Sequence, residues 1–512
     1  MPDPTINNSA IPESINALLL KAKAAMNRER YDQAVAWCQQ ILEHNSDEAN
    51  ALKLLSLSLW KQGQLNSAVL QASYLLELYP QDADAYYIMG AVLYDLGRFD
   101  AAAAALREAM RLNPDLHAAL DSYALLLQTQ GDTAAAVQIY EALLAFDARQ
   151  GSRWRAYVST QAFAKGAPPF KQLQQQFKRS DLAKRDRAQM QFALAKLYEN
   201  AEDYTQAFRA YQAGNRLRAE QEREAVQSIR SSQLIDQAQQ LIQAFTPECL
   251  VEREGWTEPL RDTTLILGPP GSGKSLLSAV LNAHPQVQSY AELNILAEAW
   301  AQFDTDLSGD DPLSSLALEP EALYHLSELL DAAWGEPPQP DTAAHLLTYP
   351  EHIVHVGSLC LLNPNTRLVV CERDPLATGL VIYMRWLHQR QPYAWSMATI
   401  ADYVWVYRRL VDHWQHLWPE QVYRVAYTDV VARPDECVAE LLAWLGVGWD
   451  PACADAQGAV IDPQQIGLAG RSLCRARMNP DFAQLTTVYR EAVPLMQRAL
   501  DEAEQRVAAV LG

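Results

Sequence analysis

A chain of 512 residues exceeds what one hydrophobic core can organise, because single cores stop growing near roughly 250 to 300 residues, so two or more domains are expected. An apolar content of 49% is that of a folded globular protein, and only residues 1–11 read as a disordered N-terminus. A formal net charge of −20 repels polyanions, which disfavours general binding to nucleic acid or to an anionic membrane.

The polar start MPDPTINNSA lacks a signal-peptide pattern, and no uncharged apolar run approaches the roughly 20 residues needed to cross a bilayer. A soluble, cytoplasmic protein without a membrane span is therefore expected. Seven cysteines (Cys38, Cys249, Cys360, Cys371, Cys437, Cys453 and Cys474) are odd in number and scattered, with no CxxC or Cys/His ligand spacing. They read as reduced, mostly buried thiols, and neither a metal site nor a disulfide framework is expected.

The first predicted elements repeat at a period of 34. Gly63, Gly97 and Gly131 recur at that interval, as do Ala34, Ala68, Ala102 and Ala136, and Pro80 and Pro114. Tyr31, Leu65 and Phe99 keep the same register. Each unit reads as helix, tight turn, helix: glycine tolerates the turn and proline cannot continue the helix it follows. The recurring alanine suits a site where two helices approach too closely for a larger side chain. These positions resemble the tetratricopeptide repeat over residues 12–147. From Phe192, FALAKLYENAEDYTQAFRAYQAGNRLRAE reads as a further, diverged helical pair, so residues 148–245 are expected to continue the array. Such arrays present a concave face, on which a protein or peptide partner is expected. The alternative is that the array only holds or dimerises the second domain.

A linker is expected over 246–262 and that second domain over 263–512. TTLILGPPGSGKSLLSAVLNAHP reads as a short apolar strand, a glycine-rich turn and an amphipathic helix. Gly268, Gly273, Lys274 and Ser275 fit G-x-x-x-x-G-K-[ST], with Gly271 and Ser272 inside the turn. Glycines let backbone N–H groups converge on a phosphate, and a helix opening near Gly273 points its positive end at the same place. Lys274 adds a cation and Ser275 a hydroxyl. The loop binds phosphate on this reading, but the pattern does not say which nucleotide carries it.

Three later blocks narrow the choice. The loop is followed by LLSAVLNAHPQV and then by Tyr290-Ala-Glu-Leu-Asn294; next comes RLVVCERDPLATGLVIYMRWL; last comes HWQHLWPEQVYRVAYTDVVARPDECVAELLAWLGVGWDPAC. In this order they resemble the sulfotransferases found fused to tetratricopeptide repeats in bacteria, over approximately residues 263–455. The resemblance implies an all-α helical-repeat solenoid followed by a three-layer α/β P-loop domain with a mainly parallel sheet. It also implies transfer of a sulfuryl group from 3′-phosphoadenosine 5′-phosphosulfate to a hydroxyl or amine, without a metal. Gly268, Gly271, Ser272, Gly273, Lys274 and Ser275 would then hold the 5′-phosphosulfate, with Lys274 nearest the leaving oxygen. Arg373 would grip the 3′-phosphate, Arg471 is the nearest match to a late basic segment, and Glu292 would be the general base. His284 reads as a helix-end packing residue, and Asp374 and Asp429 as turn caps.

The chain departs from the family pattern at donor-contact positions. Gly271 replaces the usual basic residue, and Lys274 stands at the usual threonine. Val381 replaces a serine, and Thr348 and His352 stand at a lysine and an asparagine. Two other readings compete. One is a P-loop kinase holding magnesium on Glu372 or Asp374; the other is a repeat scaffold whose second domain has lost catalysis. The acceptor is unidentified: peptide tyrosine, lipid, glycan and small phenol are all open.

Overall fold

The computed structural model describes residues 14–28, 30–225, 231–248, 262–290, 296, 299–300, 303, 320–334, 341–387, 391–453 and 485–511. Residues 1–11 and most of the expected linker, 249–261, lie outside the described residues. The chain forms two compact units, Met1–Leu126 and Leu127–Gly512.

The first unit is built from α1 (Ile15–Asn27), α2 (Tyr31–His44), α3 (Ala49–Gln62), α4 (Leu65–Leu78), α5 (Ala83–Asp95) and α6 (Phe99–Leu112), and the division falls within α7 (His117–Gln130). The period of 34 is kept in the helix starts: Ala49, Ala83 and His117 open one series, and Tyr31, Leu65 and Phe99 the other. Ala34, Ala68 and Ala102 are fully buried, as the close approach of neighbouring helices requires. Gly63 and Gly97 adopt left-handed φ of 80° and 79°, which a side chain at either position would resist. Glu48 and Asp82 cap α3 and α5 by accepting from the N–H groups of Ala51 and Ala85.

The second unit opens with α8 (Thr133–Phe146), α9 (Gly151–Thr160), α10 (Pro168–Gln176), α11 (Lys184–Asn200), α12 (Tyr204–Ala225) and α13 (Ser231–Ala244). It continues through β1 (Thr263–Leu267), α14 (Lys274–Leu281), β2 (Val287–Ser289), α15 (Pro320–Trp334), β3 (Ala344–Leu347) and α16 (Val356–Leu362). Then come β4 (Arg367–Glu372), α17 (Pro375–Tyr383), α18 (Met397–Leu417), β5 (Val422–Ala426), α19 (Tyr427–Ala432), α20 (Pro434–Trp444), α21 (Leu485–Val488) and α22 (Val493–Leu511).

The strands form one parallel sheet in the order β2-β3-β1-β4-β5. Alternation along the strands decides its layering. Leu265, Leu267, Leu368 and Val370 face a core shared with Phe192, Phe208 and Phe245. Ile266, Val369 and Cys371 face the opposite core, with Leu277, Leu281, Leu441 and Leu442. The helices preceding the sheet thus supply part of one covering layer. Asn215 Nδ2 donates to the carbonyl of Tyr383 at 2.8 Å and Arg218 Nη2 to that of Leu387 at 2.8 Å, both from buried side chains. The Arg218 guanidinium also lies over Trp386 and Trp395, at 4.3 and 4.8 Å from the ring centres.

Candidate functional site

β1 lies between β3 and β4. The chain goes from β1 toward β2 and β3 on one side and to β4 and β5 on the other, so the crevice between the carboxyl ends of β1 and β4 is the topological switch point of the sheet. Ligands of open α/β sheets bind at such crevices. Two sequence-predicted groups flank it: the glycine turn after β1 and Arg373 after β4.

The turn is shaped by steric exclusion. Gly271 and Gly273 hold φ of 88° and 103°. A β-carbon on Gly271 would lie 2.3 Å from Cγ1 of Val381, and one on Gly273 would lie 2.5 Å from Cδ2 of Tyr427. Glycine is therefore demanded twice at each position, by backbone angle and by space. Gly268 N–H donates to the buried hydroxyl of Tyr407 at 2.6 Å, and Ser272 N–H donates to the carbonyl of Pro269 at 3.1 Å. Burial pushes the Tyr407 phenol well up, so it stays protonated. Among the described residues, the amides of Gly271 and Gly273 take no partner. Ser272 is fully buried, and its Oγ has no hydrogen-bond partner. Donors of this kind at the mouth of a helix suit an anionic acceptor.

Lys274 begins α14, with Gly273 as its N-cap. Its side chain is almost wholly buried, and Nζ donates to the carbonyl of Thr348 at 2.6 Å. The ammonium thus reaches the end of β3, beside the position where the resemblance expects lysine and the chain has Thr348. Ser275 is half-buried in the same first turn. Arg373 Nη1 donates to the carbonyl of Gly271 at 2.9 Å, and its guanidinium stacks 4.5 Å over the ring of Tyr427. Burial lowers its pKa, opposed by Tyr427 and Asp374. The structure therefore brings Gly268, Gly271, Ser272, Gly273, Lys274, Ser275 and Arg373 to one crevice. Glu292 and Arg471 lie outside the described residues.

Other candidates have structural occupations. His284 is buried: its Nε2 meets the carbonyl of Gly448 at 2.9 Å, and its Nδ1 accepts from Gln286 N–H at 3.1 Å. Asp374 caps α17 by accepting from Ala377 N–H at 2.8 Å. Asp429 lies inside the first turn of α19 and pairs with Arg433 at 3.7 Å, so it is a helix residue and not the cap of a turn. Glu372 accepts from Arg424 at 2.6 Å, and Asp412 holds the same guanidinium at 2.6 Å. His352 is fully buried with neither ring nitrogen hydrogen-bonded, and burial, followed by His355 and Lys274, depresses its pKa strongly. The described cysteines, Cys38, Cys360, Cys371, Cys437 and Cys453, are buried free thiols. Among the described residues no group of three or more His, Cys, Asp or Glu could hold a metal ion. No helix among them is long and apolar enough to cross a membrane.

Sequence reasoning missed Tyr407, which reaches Gly268 from 139 positions away in α18 with no local motif to mark it. Tyr427 belongs to the tyrosine-acid turn of the third block, a signal for a turn but not for its packing under Gly273 and Arg373.

Helical repeats of period 34, with a glycine-rich turn at the switch point of a five-stranded parallel sheet, define the class: a repeat-bearing α/β protein. Residues 264–451 match the family model described as the sulfotransferase family. Residues 89–153 match that of the tetratricopeptide repeat, and residues 27–109 that of anaphase-promoting complex, cyclosome, subunit 3. The chain carries tetratricopeptide-type repeats in its N-terminal region and a sulfotransferase-family domain in its C-terminal region.

A relative from Aquifex aeolicus (strain VF5), described as an uncharacterized protein, is 25% identical over 281 residues, covering 52% of this chain and 36% of its own length. The match thus spans about a third of that relative. Among solved structures, a thermophilic TPR protein of Thermus thermophilus, TTC0263, is 18% identical with a TM-score of 0.32, covering 35% of this chain and 99% of that one. Pseudomonas aeruginosa pilF is 19% identical with a TM-score of 0.31, covering 40% and 91%.

Proposed function

We propose that the second unit transfers a sulfuryl group from 3′-phosphoadenosine 5′-phosphosulfate to a hydroxyl or amine. The observation that carries this reading is the loop itself: buried Ser272 Oγ and the amides of Gly271 and Gly273 stand unsatisfied at the mouth of α14, whose first residue is Lys274. Donors held by steric constraint require no reorganisation when charge develops on a phosphate, which is the electrostatic condition for catalysis of group transfer.

In the step proposed, the bond between sulfur and the 5′-phosphate oxygen breaks and its electron pair stays on the phosphate, which the loop and Lys274 stabilise. A bond from the acceptor oxygen or nitrogen to sulfur forms, and the acceptor proton passes to Glu292, the assigned base. Arg373 holds the 3′-phosphate and Arg471 adds charge from the late segment. The repeats bind a protein or peptide partner on their concave face.

A thermal-shift comparison tests this reading, since a ligand stabilises the state it binds, by about 2.7 kcal/mol at a hundredfold excess over its Kd. Adenosine 3′,5′-bisphosphate is expected to raise Tm while ATP with magnesium does not, and Lys274→Ala is expected to remove the shift. A larger shift from ATP with magnesium would favour a kinase; no shift from either would favour a scaffold.

A further inference from the structure

The first helices of successive repeats, α3, α5 and α7, meet through side chains one period apart. Lys53, Tyr87 and Asp121 occupy one repeat position, and Lys61 and Asp95 another. Lys53 Nζ lies 2.5 Å from Asp82 Oδ2 and 3.1 Å from Asp84 Oδ2, and Trp60 Nε1 donates to Asp95 Oδ2 at 2.6 Å. The rings of Trp60 and Tyr87 meet edge to face with 6.4 Å between their centres. Burial pushes the Tyr87 phenol up to about 12, and the charges of Asp121, Asp95 and Asp84 push the same way. Three carboxylates from α5 and α7 therefore converge on one half-buried ring.

Charge on this face is one-sided. α5 and α7 carry Asp84, Asp95 and Asp121 and no Lys or Arg. α3 supplies two cations, and both are engaged: Lys53 by Asp82 and Asp84, and Lys61 over Trp60, with Nζ 3.7 Å from the ring centre. α1 carries Lys21 and Lys23, so the acidity belongs to α5 and α7 and not to the whole array.

Lys61 also shows what the aromatic pair accepts, since the face of a ring attracts a cation through its quadrupole. Tyr87 offers a second ring, and among the described residues no ammonium or guanidinium lies over it. A cation placed there would meet a π face and three carboxylates together. An acidic segment would meet like charge in the same place, which selects against it.

We infer that the face formed by α3, α5 and α7 takes a cationic segment of a partner protein, with an Arg or Lys side chain seated over Tyr87 among Asp84, Asp95 and Asp121. This rests on the proposed reading of the repeats as a peptide-binding surface. Fluorescence anisotropy on the full chain tests it, with labelled peptides that alternate Leu with Arg, with Gln or with Glu. The Arg peptide should bind the wild type at least about tenfold tighter than the Gln peptide, and the Glu peptide should bind weakest. Asp95→Asn combined with Asp121→Asn, which keeps an acceptor for the Trp60 N–H, should weaken the Arg peptide about three- to tenfold. Tyr87→Leu, which keeps an apolar contact without a π face, should weaken it about two- to fivefold. Glu43→Gln combined with Asp100→Asn removes as much charge from exposed positions of α2 and α6 and should leave it within about twofold. Equal losses in the two double variants, or unchanged affinity in Tyr87→Leu, overturn the seat. A Gln or Glu peptide that binds the wild type as tightly as the Arg peptide overturns the cationic chemistry while the peptide-binding reading survives; that comparison needs no variant, so a folding defect cannot obscure it. A wild type that binds none of the three overturns both.

Discussion

At the scale of single residues the second unit carries several buried polar groups whose cost must be offset elsewhere. His355 is the clearest in its consequence for stability: burial pulls its pKa down to about 4. His352 is shifted the same way. The folded state holds both imidazoles neutral while the unfolded chain protonates them near pH 6.5, so the unfolded state binds more protons below that pH. Stability from this source is intact above about pH 6.5 and falls as pH drops toward 4, by on the order of 3 kcal/mol for His355. Tm measured across this window should decline, and His355→Phe should flatten the decline. The window lies above that of the Arg149-bonded Asp147, held down at about 2, whose contribution disappears only in stronger acid.

At the scale of elements, α14 is a helix of eight residues whose opening depends on the glycines before it. Gly273→Ala would place a β-carbon against the ring of Tyr427 and force an alanine to φ near 103°. The expected cost is about 1 to 3 kcal/mol, with loss of nucleotide binding as the loop shifts to relieve the contact. Thermal unfolding together with a ligand titration checks both parts; wild-type affinity in the variant would show that the loop tolerates another shape. In the repeats the same steric logic runs through Ala34, Ala68 and Ala102, where burial is complete.

At the scale of the whole molecule, the compact unit that contains the sheet starts at Leu127. Phe192, Phe208 and Phe245 share one core with Leu265, Leu267 and Val370, so the helices before β1 cover a sheet face that would otherwise meet water. A fragment beginning at residue 263 is expected to be insoluble or to lack a cooperative transition. One beginning at residue 127 should unfold cooperatively in calorimetry. A folded, soluble fragment from 263 would show that the shared core is dispensable.

Much of this architecture was legible in the chain because it is local. A period of 34 forces helix starts at Tyr31, Leu65 and Phe99, and the glycines between an apolar strand and an amphipathic helix force a tight turn at Gly268 to Lys274. Spacing and backbone angle carry that information with no reference to distant residues. Tertiary structure alone decided that Tyr407 receives the Gly268 amide, that Lys274 ends on the carbonyl of Thr348, and that α12 anchors to Tyr383 and Leu387. Those contacts join residues from 74 to 169 positions apart. Their partners are chosen by how the sheet and its covering helices close around a common core, and nothing in the immediate neighbourhood of either residue encodes that choice.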